Sequence, residues 1–412
     1  MQNLTFDNTN DSDVTFYQRR TQLLHTLKNR FTTYGYKQIQ TSTFEAYDLY
    51  TTVNGTIRPD EMIKVIDQSG KVLVMRPDVT IPITRKIAAK YPDFTGEIRY
   101  FYVTDVFRQT PGETNNKERT QAGVEYFGNT SPEADADVLA LAIHALKDLK
   151  LNNFTLEIGH AGFTKELIST LNLSEQELEQ FKQLIQAKNM SGMKLFLSEL
   201  SLEPALRIAL ESIPLLYGDP QDVIKRAKEI AFNEHLLAKL QTLEKVLELL
   251  QACGVQEYTV LELGLINNMD YYSDIILQGF TGNVGKPIVM GGRYDKLADQ
   301  FQASIPAIGF AFDINALLES TQHQHQAYRP PVDIVIYYDP CKQESGLSTA
   351  NKLREQGYRV LAYPEKSHHS INTQYPIFFT KEDNTLAQQD RSWPFTNTAE
   401  LEQLLRDLQG VN

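Results

Sequence analysis

The sequence predicts an α+β fold: an antiparallel sheet core, broken by a helical insertion and followed by a small α/β domain. Three observations carry that reading. Strand-like runs between residues 98 and 292 are joined largely by hairpin-length connections, which suit antiparallel pairing. Residues 164–252 are rich in periodic Leu, Ile and Phe among Glu, Lys and Gln, with almost no strand signal. Residues 321–331, polar and ending in two prolines, precede a strand–helix–strand pattern.

Taken in order, residues 13–34 read as a helix, because Phe16, Leu23, Leu24, Leu27 and Phe31 recur at helical spacing. A short strand at 37–41 follows. A hairpin of 62–67 with 72–75 turns at Ser69-Gly70, and a helix over 80–90 follows RPDVT. Strands are expected at 98–108, 121–127, 154–158, 258–265, 271–280 and 288–292. A helix over 134–149, opened by Pro132 and Glu133, interrupts them. After residue 331, VDIVIYY, SGLSTANKLREQGY and RVLAYP spell strand, helix, strand. The expected boundaries are a first core part at 1–163, an insertion at 164–252, and a second core part at 253–320. A linker at 321–331 then leads to the small domain at 332–412.

At 412 residues the chain is too long for one compact unit. No apolar run approaches the roughly 20 residues that span a bilayer, and the first residues lack the basic and apolar regions of a signal peptide. The two cysteines, Cys253 and Cys341, are far apart, so neither a disulfide framework nor a zinc site is expected and a reducing cytoplasm fits. The net charge of −12 lowers the expectation of nucleic-acid binding, since gripping phosphates needs Lys and Arg.

Four segments in order resemble the class II histidyl-tRNA synthetase core: RPDVT at 76–80, VFRQ…ERTQAGVEYFG at 106–128, NNMDYY at 267–272, and GGRYDKL…PAIGFAFDINAL at 291–317. With the first helix and GYKQIQTSTFE, the resemblance spans about residues 13–320. The chemistry of a pocket can be argued beside it. A zwitterionic amino acid with an imidazole needs carboxylates for its ammonium, and Asp78 and Glu125 supply two. Thr80 and Gln121 add neutral hydrogen-bonding groups at positions carried over from the family pattern. Tyr271, Tyr272 and Tyr294 offer rings and hydroxyls to an imidazole, and Arg108 can pair a carboxylate. The resemblance implies that Gln121, Glu125, Tyr271 and Tyr294 bind histidine. Singly these residues are weak signals. Paired tyrosines in a strand are more often core or surface aromatics, and Asp78 could simply cap the helix after it.

The departures from the synthetase pattern point away from aminoacylation. Where synthetases carry an arginine at the start of NNMDYY, this chain has Asn267. Where their third motif ends in an ATP-holding arginine, it has Ala316, after Asp313, Ile314 and Asn315. Asp313 adds a negative charge near where phosphates would lie. The second-motif loop QTPGETNNKE holds one lysine, Lys117, and two glutamates, and the first-motif proline is Ser42. Each lost arginine costs a charged transition state about 10² to 10³ in rate. A synthetase fold that keeps the pocket and loses ATP handling resembles the regulatory subunits of ATP phosphoribosyltransferase. That resemblance implies a non-catalytic protein without a cofactor. It also implies a short-form catalytic subunit as partner, a dimer within a hetero-octamer, and histidine as effector in the first step of histidine biosynthesis. Other readings stay open at this point: an active histidine-tRNA ligase, a stand-alone histidine sensor, or a relative with a vestigial pocket. His323, His325, His368 and His369 read as solvated loop histidines rather than metal ligands. The small domain resembles a trimmed anticodon-binding domain and receives no function.

Overall fold

The computed structural model describes residues 14–51, 53, 57–92, 94–109, 117–266, 271–282, 284–321, 332–365, 371, 373–388 and 391–409. They fall into two compact units, Met1–His323 and Gln324–Asn412.

The first unit opens with α1 (Val14–Thr33), then β1 (Lys37–Gln38), β2 (Phe44–Ala46), α2 (Asp48–Thr51), β3 (Lys64–Ile66), β4 (Val72–Met75) and α3 (Thr80–Lys90). Two long strands, β5 (Ile98–Phe107) and β6 (Glu118–Phe127), precede α4 (Pro132–Asp148) and β7 (Phe154–His160). The helices α5 (Ala161–Ser169), α6 (Glu175–Gln186), α7 (Met190–Ser198) and α8 (Pro204–Ser212) follow. Then come β8 (Tyr217–Gly218), α9 (Pro220–Ile230) and α10 (Glu234–Ala252). The unit closes with β9 (Thr259–Glu262), β10 (Ile275–Thr281), β11 (Val284–Arg293), β12 (Ala307–Asp313) and α11 (Ile314–Ser320).

Nine strands form one sheet, in the order β1-β5-β6-β12-β11-β10-β7-β9-β8. Its interior, β5 through β7, is antiparallel, as the connections predict. The outer pairs β1–β5 and β7–β9 are parallel, so the sheet as a whole is mixed. Side chains alternate between its faces. Phe101, Val124, Phe310 and Phe312 point to one side and join α1, α4 and α10 in a continuous core. Tyr102, Val106, Ile276 and Tyr294 belong to a second core that includes Ile81, Ile83 and Ile87 of α3.

The helices start where their caps allow. Ser131 accepts from the Ala134 amide ahead of Pro132, and Ser174 forms a capping box with Glu177. Asn233 accepts from Leu236 N at the start of α10. The helical stretch nevertheless holds β8, which pairs with β9 at the sheet edge and had no strand signal.

Several expected strands are shorter than read, and the one at 37–41 reduces to Lys37–Gln38. Residues 271–280 pair only from Ile275; before it, Tyr272 O accepts from Lys165 Nζ rather than from a strand amide. Residues 258–265 pair only to Glu262, after which Leu265 N turns back to Glu262 O. The hairpin of 62–67 with 72–75 narrows to β3 and β4, and Met62 bridges to Arg108 instead.

The second unit contains β13 (Val332–Tyr338), α12 (Gln343–Glu355), β14 (Val360–Pro364), β15 (Thr373–Phe379), β16 (Asn384–Gln388), β17 (Arg391–Phe395) and α13 (Thr398–Gln409). Its sheet runs β14-β13-β15-β16-β17, parallel on one side and antiparallel on the other. Ile334, Ile336, Ile377, Leu386 and Leu401 build its own core. The sequence pattern predicts this unit only through β14; β15, β16, β17 and α13 complete it.

Candidate functional site

The site lies on the α3 side of the large sheet. On β6 the period of two puts Arg119, Gln121, Gly123 and Glu125 on one face. Their partners in register are Val106, Thr104, Tyr102 and Tyr100 on β5, and Asp313, Ala311 and Gly309 on β12 for the last three. The turn before α3 brings Asp78 and Thr80 to the same place. Arg76 holds that turn, donating to Asp105 O at 2.6 Å and Thr41 O at 3.0 Å.

All eight residues singled out in the sequence line one cavity of about 230 Å³: Asp78, Thr80, Arg108, Gln121, Glu125, Tyr271, Tyr272 and Tyr294. Glu125 is buried, 2% exposed. Its Oε1 accepts from Thr80 Oγ1 at 2.6 Å, and its Oε2 accepts from the Tyr294 hydroxyl. Burial pushes its carboxyl up to about 8, opposed by those two hydroxyl donors and helped by the charge of Asp78. Gly309 faces it across the ladder, where a Cβ would collide with Glu125 Oε2. Gly123 similarly leaves room for the Tyr102 ring, whose hydroxyl would stand 2.5 Å from a Cβ there.

Asp78 does two things at once. It faces the cavity, and its Oδ1 accepts from Ile81 N at 2.7 Å in the first turn of α3. Burial raises its pKa, while the backbone donors of α3 and the charge of Arg108 pull the other way. Arg108 is anchored rather than loose, since its Nε donates to Pro77 O at 2.7 Å. The tyrosines make the wall. Tyr271 lies 4.8 Å from Tyr272 and 5.8 Å, edge-on, from Tyr294. At the other end Asp313 lines the cavity, caps α11 through Ala316 N at 2.9 Å, and pairs with Lys286 at 3.5 Å. Its negative charge is therefore compensated locally. Ala316 is fully buried in the core on the far side and does not line the cavity.

Sequence reasoning missed Tyr102, Arg119 and Lys286, which also line the cavity. Arg119 was within reach, because it shares the alternation of Gln121 and Glu125. Tyr102 and Lys286 needed the strand pairing. Asn267, the second-motif loop at 110–116, and His323, His325, His368 and His369 lie outside the described residues. Among the described residues, no group of three or more His, Cys, Asp or Glu could hold a metal. Among them, too, no helix is long and apolar enough to cross a membrane.

The cavity thus combines two buried carboxyls, neutral donors and acceptors, aromatic walls and cationic groups. It suits a small zwitterion with a flat ring. Comparison with known proteins adds the family. The histidyl-tRNA synthetase family model matches residues 9–317. A protein of Oceanobacillus iheyensis named ATP phosphoribosyltransferase regulatory subunit is 46% identical over 92% of this chain and 93% of its own length. The chain belongs to the ATP phosphoribosyltransferase regulatory subunit family.

A regulatory subunit of Acetivibrio thermocellus is 36% identical over 81% of this chain and 80% of its own. A crystal structure described as a regulatory subunit/histidyl-tRNA synthetase, from Bacillus halodurans, superposes with a TM-score of 0.78 at 27% identity, covering 90% of this chain and 97% of that one. A histidyl-tRNA synthetase of a Nostoc species has a TM-score of 0.80 at 17% identity and covers 97% of this chain and 99% of its own, which shows the shared fold alone. Membership in a regulatory-subunit family agrees with the expectation of a chain that is not itself the catalyst.

Proposed function

We propose that this chain is the non-catalytic regulatory subunit of ATP phosphoribosyltransferase. It binds the short-form catalytic subunit, makes it competent, and adjusts it in response to histidine held in the cavity. The observation that carries the reading is the Glu125 cavity itself, in a chain 46% identical to a protein named for that role. Histidine presents a cation to Glu125 and Asp78, a ring to Tyr271 and Tyr272, and a carboxylate to the arginines. Feedback then follows from linkage, because a ligand that binds one state of a complex better shifts the complex toward that state. The proposal includes self-association as a dimer within a hetero-octamer, a cytoplasmic setting, no cofactor and no tRNA partner.

The test is a mixing assay. The chain is added to a short-form ATP phosphoribosyltransferase from the same source, and phosphoribosyl-ATP formation is followed with and without histidine. Stimulation reversed by histidine is expected. Glu125→Ala should weaken histidine binding and inhibition by about tenfold or more while leaving the complex assembled. Inhibition that survives Glu125→Ala unchanged would place the effective histidine elsewhere. Pyrophosphate exchange with ATP and histidine, without any stimulation, would overturn the reading in favour of a ligase.

A further inference from the structure

The tyrosine wall of the Glu125 cavity is held from outside by α5. His160 opens that helix, its Nδ1 accepting from Phe163 N at 3.2 Å. Ala161 N donates to Asp274 O at 2.7 Å, and Thr164 Oγ1 donates to Leu263 O at 2.7 Å. The first turn of α5 is thereby fixed to the chain on both sides of the tyrosine pair. Lys165 stands four residues after Ala161, on the same face of the helix. Its Nζ donates to Tyr272 O at 2.7 Å, two residues before the Asp274 carbonyl that Ala161 holds.

Lys165 does not itself line the Glu125 cavity, whereas Tyr271, Tyr272 and Tyr294 do. It reaches the pocket through the rings. Tyr271 lies 4.8 Å from Tyr272 and edge-on to Tyr294, whose hydroxyl donates to Glu125. One run of contacts therefore joins the Lys165 ammonium to the buried carboxyl. Ser273 N and Asp274 O bond to main-chain groups, Arg293 O and Ala161 N, which no substitution removes. The bond to Tyr272 O comes from a side chain, and a charged donor makes it stronger than a neutral one.

We propose that Lys165 is a positioning residue for the ligand pocket. By holding the Tyr272 carbonyl it sets where the paired rings stand, and with them the affinity of the pocket for a ring-bearing amino acid. The affinity rests on the histidine reading; the placement of the rings does not.

Fluorine NMR of the full chain labelled with 3-fluorotyrosine tests the placement without any ligand, the Tyr272 line being assigned from Tyr272→Phe. Lys165→Met should shift or broaden that line, and Lys165→Arg should leave it near its parent position. Calorimetric titration of the same proteins with histidine should show affinity weakened about fivefold or more by Lys165→Met and recovered in Lys165→Arg. Thermal unfolding of each variant checks that it is folded, and Lys165→Gln takes the place of the methionine variant if that one is not. A lysine that serves stability alone would lower the melting temperature and leave the Tyr272 line and the histidine affinity where they were. That result overturns the proposal, as does a loss of affinity with an unmoved Tyr272 line. A line that moves while histidine binds both proteins equally well removes the effect on affinity. If the parent chain binds no histidine, the histidine reading falls, and the fluorine line alone decides whether Lys165 places the rings.

Discussion

Glu125 is held by two hydroxyls, Thr80 and Tyr294, and is only 2% exposed. Its carboxyl keeps its proton up to about pH 8 in the fold, against an ordinary value of 4.5. The native state therefore binds more protons than the unfolded chain between those two values. Stability from this group is present below about 4.5 and is lost as pH rises toward 8. A neutral isostere escapes that loss. Glu125→Gln should melt a few degrees above the parent at pH 8, with the gap closing toward pH 5; a gap that widens as pH falls would contradict the assignment. Arg293 shows the opposite case. It is 2% exposed and donates to Asp135, Asp295 and Asn129 O. Burial pushes Asp135 up to about 6 even against that cation, while the two carboxylates hold Arg293 charged. Removing Arg293 leaves Asp135 buried and uncompensated. Arg293→Ala should cost about 3–5 kcal/mol in denaturant unfolding, and a cost below 1 would mean that water reaches the pair.

At the scale of elements, the legible parts were those whose own pattern decides them. On β6 Ala122, Val124 and Tyr126 alternate with Gln121, Gly123 and Glu125, α4 begins at Ser131 and Pro132, and α1 shows Leu23, Leu24, Leu27 and Phe31 on one buried stripe. The illegible parts depend on partners elsewhere in the chain. Tyr271 and Tyr272 read as strand by residue type, yet pairing starts only at Ile275 and Lys165 holds the Tyr272 carbonyl. β8 exists because Tyr217 and Gly218 meet β9, not because either residue favours a strand. The same distinction ranks the contacts of α1. Phe31 is wholly buried among Phe101, Phe310 and Phe312, whereas the Arg30–Asp148 pair is about 30% exposed on both sides. Phe31→Ala should cost about 3–5 kcal/mol and Arg30→Ala less than about 1. Comparable losses in urea titrations of the two variants would refute this ranking.

For the whole molecule, the eight predicted site residues meet in one cavity although they come from widely separated segments, because strand order brings those segments together. That was legible only through the resemblance of ordered motifs, since no local pattern places Tyr294 beside Glu125. The boundaries of mass are clearer. Every member of the two cores around the large sheet lies before residue 319, and every buried member of the remaining core lies after residue 333. A chain ending at residue 323 should therefore unfold in one cooperative step and bind histidine with the affinity of the full chain. A loss of histidine affinity on truncation would assign the second unit a part in the pocket.

The large sheet ends in β1 at one side and β8 at the other, each of two residues. Strands that short leave few main-chain donors and acceptors to template another chain, so the large sheet is poorly suited to extension by an incoming strand. Contacts made by this sheet with another chain therefore fall to side-chain surfaces, and substitutions there can retune partner choice without disturbing the hydrogen-bonded frame that holds the cavity.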